Sequence, residues 1–444
     1  MCTTRRGFLM GCSAAIANLA AARFTNIAFA SPLAAGSYDT LVVLFLRGGI
    51  DGLSLVMPTS GPDRALYEAA RPTIKIPNSG ASTALDLGPW GGNQFGLHPA
   101  AGALYDLWQD RRVAFVHAAG LDTASRSHFD NQAQIELGTP GVNNTPDGWI
   151  TRHLVTAPNL LPDLVMPSVA VGSTVPTSYQ DSFNTVVMAN RDDVLLNTGP
   201  SEWRDEQKIA LRNLLDNGAT YVHATGTSAL DASTLVEQMV PSASSYVPAN
   251  GASYPSGSYG DALKLIAQLV KLDLGLRAVT LDLGGWDTHN GQGTPAAGQY
   301  FWNQVGQLAG GLGAFYTDLA GSGGLNYMRR VTVVVMSEFG RRLHENADIG
   351  TDHGHGNVIT VVGGPVVGGL YGTWPGLANA QLYDQADLAI TTDFRRVLAE
   401  IVTKRLENPN WASVFPGYGG YQPLGVVTDL FADGFETGDT RFWG

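Results

Sequence analysis

The sequence predicts an α/β fold: a mostly parallel central sheet with helices on both faces and an inserted cap region. Three observations lead there. Several short runs are almost continuously apolar, such as Thr40-Leu41-Val42-Val43-Leu44-Phe45-Leu46 and Val331-Thr332-Val333-Val334-Val335-Met336. A strand without a polar face is buried on both sides, as in a parallel sheet. These runs alternate with helical stretches along the chain, the order that builds strand–helix–strand units. The apolar fraction, 44% of 444 residues, is enough for a large core and too high for a disordered chain.

The ends are expected to lie outside this fold. Thr4-Arg5-Arg6-Gly7-Phe8-Leu9-Met10 is a twin-arginine pattern, followed by an Ala-rich run that closes at Ala28-Phe29-Ala30. Residues 1–30 therefore read as a signal peptide for the twin-arginine export machinery, and the mature chain as periplasmic or extracellular. Leu9-Met10-Gly11-Cys12 resembles a lipoprotein box but precedes the apolar run, which argues against lipidation. Both cysteines, Cys2 and Cys12, fall within this segment. A mature chain without cysteine has no disulfides, thiolate ligands or cysteine nucleophile. Removing Arg5, Arg6 and Arg23 leaves 24 basic and 39 acidic residues, a balance that disfavours nucleic acid and anionic membranes as partners. No run approaches the ~20 apolar residues of a membrane span. Residues 428–444, where acids alternate with aromatics and glycines, read as a mobile tail or a sorting tag of the "DGFESGD" type.

Between these ends, residues 31–427 read as one domain. Strands are expected at Thr40 to Leu46, Val113 to His117, Ser168 to Gly172, Ala278 to Leu283, Val331 to Met336 and Val358 to Val362. Helices are expected at Leu97 to Trp108, Glu202 to Leu215, Ala229 to Met239, Tyr259 to Leu274, Tyr300 to Leu319 and Thr392 to Leu406, the last capped by Thr391 or Thr392. Residues 184–258 break the alternation and read as the insertion or cap.

Ligands in an open α/β sheet bind at the carboxyl ends of its strands. Here those ends carry Asp51, then Thr123-Ala124-Ser125-Arg126-Ser127-His128, then Asp287-Thr288-His289, then Glu338 followed by Asp352-His353-Gly354-His355. Carboxylate and imidazole donors without sulfur fit one or two divalent ions, Zn, Mn, Mg or Ca. Thr123, Ser125 and Ser127 are candidate nucleophiles, inert until a base or metal lowers their pKa. Arg47 and Arg126 could clamp an oxyanion bidentately, and His128 could orient Ser127 or cap the helix that follows. His344 and Glu345 are expected to face solvent, and His98, His117, His153 and His223 to be structural or superficial.

The motifs Leu46-Arg47-Gly48-Gly49-Ile50-Asp51-Gly52, Arg126-Ser127-His128-Phe129, Gly285-Trp286-Asp287-Thr288-His289, Ser337-Glu338-Phe339-Gly340-Arg341, Glu345-Asn346, Gly350-Thr351-Asp352-His353-Gly354 and Thr392-Asp393-Phe394-Arg395 occur in that order. Together they resemble the exported bacterial family called domain of unknown function 1501, usually placed near the alkaline-phosphatase and sulfatase superfamily. The resemblance implies an alkaline-phosphatase-like fold with Asp51 as the first acid, Ser127 or Ser125 at the nucleophile position, and Asp287 with His289 as the next ligand pair. The superfamily's Asp-His pair is where this chain departs. By strand position it falls at Glu338-Phe339, which has no histidine; by letters it is Asp352-His353, with His355 competing for the final histidine. No Cys/Ser-x-Pro-x-Arg motif is present, which argues against formylglycine sulfatase chemistry.

The expected function is a metal-dependent hydrolase of phosphate or sulfate esters, acting on an anionic small molecule or glycan. Asp51, Asp287, His289, Glu338, Asp352, His353 and His355 would hold the metal, and Ser127, Arg126, Arg47 and His128 would serve catalysis. The alternative is a catalytically degenerate member that binds surface glycans or partners.

Overall fold

The computed structural model describes residues 38–429, apart from residues 159, 161–163, 165, 183–184, 197, 217, 219, 243–244, 274 and 322–325. The expected signal peptide and residues 430–444 of the expected tail lie outside the described residues.

The strands in chain order are β1 (Thr40–Leu46), β2 (Val56–Ser60), β3 (Leu85–Trp90), β4 (Asn93–Leu97), β5 (Val113–Gly120), β6 (Ser168–Val171), β7 (Thr185–Val187), β8 (Ala278–Leu283), β9 (Val331–Met336), β10 (Asn357–Gly363), β11 (Gly369–Tyr371) and β12 (Thr392–Asp393). Nine of them form one sheet in the order β11-β5-β10-β9-β1-β8-β6-β7, with β12 also paired to β5. All its pairings are parallel except those of β10, which runs antiparallel to β5 and β9. The remaining strands, β2, β4 and β3, make a separate antiparallel ribbon.

β1 shows how the core is divided. Every residue of it is buried, and successive side chains point to opposite faces. Val42, Leu44 and Leu46 join one apolar cluster with Leu104, Leu263, Ile266, Leu308 and Leu312. Leu41, Val43 and Phe45 join another with Ile135, Ile150, Val397 and Ile401. The helices Gly102–Gln109, Ser258–Leu272 and Tyr300–Ala320 thus cover one face, and His128–Leu137, Trp149–Thr156 and Phe394–Lys404 the other. Among the described residues, no helix is long and apolar enough to cross a membrane.

The strands predicted from apolar runs are present within a few residues of their expected bounds. The β2–β4 ribbon and the helices Pro62–Ala70 and Trp149–Thr156 were not anticipated, because their apolar residues are interrupted by Gly, Pro and polar positions. The cap of the helix Phe394–Lys404 is Asp393, not Thr391 or Thr392. Thr392 and Asp393 extend the sheet beside β5, and the Asp393 carboxylate accepts from the Arg395 N–H at 2.9 Å. Within residues 184–258, the helices Arg204–Leu215 and Tyr221–Met239 share a small cluster of Leu196, Leu211 and Leu230. Ala232, Val236 and Val240 tie the second helix to the main core.

Candidate metal centre

The centre sits where the loops after β1, β5, β8 and β9 meet. Close approach of these loops depends on Gly48. It has φ +120, and a Cβ built on it would lie 2.3 Å from the Asp287 amide nitrogen. The turn after β1 can therefore lie flat against the loop that carries Asp287. Beneath both, the buried Arg341 guanidinium donates to the carbonyls of Gly48, Gly49 and Thr351 and to Asp287 Oδ1 at 2.6 Å.

Asp287, His128 and His353 offer ligand atoms within 4.8 Å of one another. His128 is the first residue of the helix His128–Leu137, whose N-cap, Ser127, accepts from the Asp130 N–H. His353 sits in the loop between β9 and β10. His128 Nε2 lies 3.6 Å from Asp287 Oδ2, and His353 Nε2 lies 3.5 Å from Asp287 Oδ1. His289, 39% exposed, brings its Nε2 to 3.3 Å from Asp287 Oδ1.

The protonation pattern follows from what each Nδ1 faces. His353 Nδ1 meets the Arg126 carbonyl at 2.9 Å, which can only accept. His128 Nδ1 meets Glu338 Oε1 at 2.6 Å, and His289 Nδ1 meets Asp352 Oδ1 at 2.8 Å. Every Nδ1 therefore carries a proton, and in the neutral ring every Nε2 keeps its lone pair. The Nε2 atoms of His128 and His353 are buried and have no hydrogen-bond partner, a condition that costs free energy unless something else satisfies them.

A divalent ion fits this arrangement. Bonds of roughly 2.05 Å at a tetrahedral angle place neighbouring ligand atoms about 3.3 Å apart, and within the cluster His353 Nε2 lies 3.5 Å from Asp287 Oδ1 and His128 Nε2 3.6 Å from Asp287 Oδ2. Acceptors on the far ring nitrogen are the usual outer support of a metal-bound histidine. His128, Asp287 and His353 form a cluster that can hold a metal; His289 Nε2 approaches the same carboxylate at Oδ1 but lies outside the set of atoms mutually within 4.8 Å. The opening is to solvent, since the Asp287 side chain is 51% exposed.

Charge within the centre is ordered. Burial raises the Asp287 carboxyl, but the Arg341 guanidinium outweighs it and holds the group below the usual carboxylate range. Burial likewise raises Glu338, and hydrogen bonds from His128, Ser337 and Gly48 bring it below its ordinary value. The bond to Glu338 raises His128. Burial, with Arg341 and His128 nearby, lowers His353. Bonds from His289 and Asn346 lower Asp352.

The structure thus gathers Asp287, His289 and His353 from the expected ligands and adds His128, expected to serve Ser127. Other expectations need correction. Asp51 is fully buried and spent on Arg71, Ser54 and Gln292. Glu338 and Asp352 face the Nδ1 atoms of His128 and His289, on the far side of these rings from Asp287. His355 stacks on Tyr383 at 4.0 Å and faces Asp122 at 3.4 Å. Ser127 Oγ caps a helix, and Ser125 Oγ accepts from the Ser127 N–H. Arg47 pairs with Asp282 and Glu136, and Arg126 with Asp387 and Asp384. Glu345, expected in solvent, accepts from the Thr73 and Ile74 N–H groups, while His344 is exposed. His98, His117 and His153 are buried structural residues. Sequence reasoning missed Arg341, Arg71 and Gln292. Arg341 could have been suspected as the cation closing the Ser337-Glu338-Phe339-Gly340-Arg341 turn; Arg71 and Gln292 carry no local signal.

The family model described as "Protein of unknown function (DUF1501)" matches residues 38–406, so the chain belongs to that family, the one its motifs resemble. No curated protein matches it in sequence. Among solved structures, the PsFucS1 sulfatase from Pseudoalteromonas sp. is similar at 10% identity and a TM-score of 0.32, over 83% of this chain and 68% of that one. The lipoteichoic acid synthase LtaP from Listeria monocytogenes is similar at 8% identity and a TM-score of 0.30, over 94% of this chain and 81% of that one. Likenesses this distant carry no weight for the chemistry.

Proposed function

We propose that this member of the domain of unknown function 1501 family is an exported metal-dependent hydrolase of phosphate or sulfate esters. The observation that carries the reading is the convergence of imidazole Nε2 lone pairs on Asp287, each ring fixed by an acceptor at Nδ1. His128, Asp287 and His353 would hold the ion, and His289 lines the edge of the site beside Asp287 Oδ1. A set rich in imidazole favours Zn over the oxygen preferences of Mg, Ca and Mn. Bound there, such an ion supplies a Lewis acid and lowers the pKa of a water.

The chain's own residues set the rest. Glu338, Asp352 and the Arg126 carbonyl hold the rings in one tautomer. Arg341 balances Asp287 from below. Ser127 Oγ is engaged as a helix cap, and water is the nucleophile of this reading. The ester itself, an anionic small molecule or glycan conjugate met outside the cytoplasm, follows from the sequence resemblance and the twin-arginine pattern.

One observation favours a second reading, a binding protein without turnover: Arg47 and Arg126 each turn Nη2 to carboxylates of the chain itself, which compete with an oxyanion for these guanidinium groups. The test is metal content of the purified chain by elemental analysis, followed by aryl phosphate and aryl sulfate assays. Stoichiometric metal lost in Asp287→Ala and His353→Ala, together with ester cleavage, supports the hydrolase. Metal without cleavage favours the binding protein. A folded wild-type chain that takes up no metal overturns the proposal.

A further inference from the structure

Asp51 and Arg71 form a fully buried ion pair next to the centre but outside it. All five Arg71 N–H donors are used: Nε on the Leu343 carbonyl, Nη1 on Asp51 Oδ2 and Ser54 Oγ, Nη2 on Asp51 Oδ1 and the Arg342 carbonyl. Asp51 Oδ2 also accepts from Gln292 Nε2 at 2.7 Å. Gln292 Oε1 in turn accepts from Thr288 Oγ1 at 2.9 Å and Thr351 Oγ1 at 3.1 Å. Thr288 lies between Asp287 and His289, and Thr351 directly precedes Asp352 and His353. The two threonines also share a backbone bond, Thr351 N–H to the Thr288 carbonyl at 3.0 Å.

We infer that this Asp51–Arg71–Gln292 network is a positioning device that sets the spacing of the two ligand-bearing loops, with Thr288 and Thr351 as its contact points. A buried ion pair is poor evidence of net stabilisation, since desolvation offsets its attraction, and its best-attested use is to fix one arrangement among several. Metal ligands on loops need such a device, because they must be held to roughly 0.5 Å. The network reaches both loops through side chains that accept or donate at fixed positions, and it leaves no polar atom of Asp51, Arg71 or Gln292 among the buried unpartnered ones. The role rests on the metal reading for what is positioned, and on the hydrogen bonds alone for the positioning.

The test spares the buried charges, whose removal could prevent folding, and uses Thr288→Val, Thr351→Val and the double variant in the full chain. Three quantities are read: affinity for Zn and Mn by chelator competition, thermal midpoint, and amide hydrogen exchange by segment. The expected result is a loss of metal affinity of about 10–100-fold, the usual size of outer-shell effects. Exchange accelerates in residues 286–293 and 341–353 alone, the midpoint changes little, and Thr→Ser at either position restores both affinity and protection. Unchanged affinity and unchanged loop exchange in the double variant overturn the inference. So does a loss that Thr→Ser fails to restore, or an acceleration spread over the whole chain in step with the midpoint. If the wild-type chain takes up no metal, the proposed function fails separately. Exchange then decides positioning: acceleration confined to the two loops supports it, and unchanged exchange refutes it.

Discussion

Glu338→Gln separates the charge of this residue from its shape. Glu338 is buried, and its Oε1 accepts from the Gly48 N–H at 2.8 Å and meets His128 Nδ1 at 2.6 Å. Its Oε2 lies 2.9 Å from Ser337 Oγ, which is also 2.6 Å from the Leu46 carbonyl. Glutamine keeps an oxygen for Gly48 and His128 and presents an amide nitrogen to Ser337. The Ser337 hydroxyl can then donate to Leu46 and accept one amide N–H, leaving the second amide hydrogen as the one new group without an assigned partner. The fold should hold, and what disappears is the negative charge that makes His128 a stronger donor to an ion. Removing an outer-shell partner typically weakens metal binding 10–100-fold, or about 1.4–2.8 kcal/mol. Because the hydrogen bond survives here, the expected loss is near tenfold. The assay is chelator competition at constant pH, with a guanidinium unfolding curve to confirm unchanged stability. Affinity equal to wild type in Glu338→Gln, and again in His128→Ala, would refute His128 as a ligand and the role given to Glu338.

Three further outcomes follow from the same geometry. Ser127→Ala should lose about 1 kcal/mol of stability as a lost helix cap while keeping most ester hydrolysis; loss of nearly all turnover with metal retained would restore the serine nucleophile. Burial holds His98 and His117 at about 4 and His153 at about 3, against 6.5 when unfolded. The unfolded chain then binds more protons below 6.5, so stability is complete above that pH and falls as pH drops towards 4, by up to about 1.4 kcal/mol per pH unit for each histidine. Urea unfolding midpoints between neutral and mildly acid pH check this, and His117→Gln, which keeps a donor for the Val56 carbonyl, should flatten the slope by one histidine's share. Gly48→Ala must find room for a Cβ 2.3 Å from the Asp287 amide nitrogen at a φ of +120. It should cost about 3 kcal/mol and weaken metal uptake; an unchanged denaturation curve would show that the loops are not packed as described.

The strands were legible because an apolar run bounded by Gly and polar residues has one physical meaning, a strand buried on both faces, and the polar residues just beyond it must then gather at one edge. That logic placed Asp287, His289, Glu338, Asp352 and His353 together. It could not tell a ligand from the group behind a ligand, because that depends on which atom turns inward. Asp51 illustrates the limit. It follows β1 as a ligand would, yet its direction is set by Arg71, 20 residues away, and by Gln292, 241 residues away, and no local pattern announces either. The missing histidine after Glu338 is the converse case. Read along the strand, Glu338-Phe339 looks like a site that has lost a ligand. In space, Phe339 packs against the rings of His128 at 4.8 Å and His353 at 4.5 Å, and Glu338 grips His128 from behind. The imidazole comes instead from the start of a helix 210 residues earlier in the chain. On the proposed metal reading, the departure from the superfamily pattern becomes a ligand supplied by His128 with Glu338 as its outer support, not a vacant position. The same reasoning makes Glu338 and His128 the pair whose separate and joint substitution bears most directly on whether the centre works.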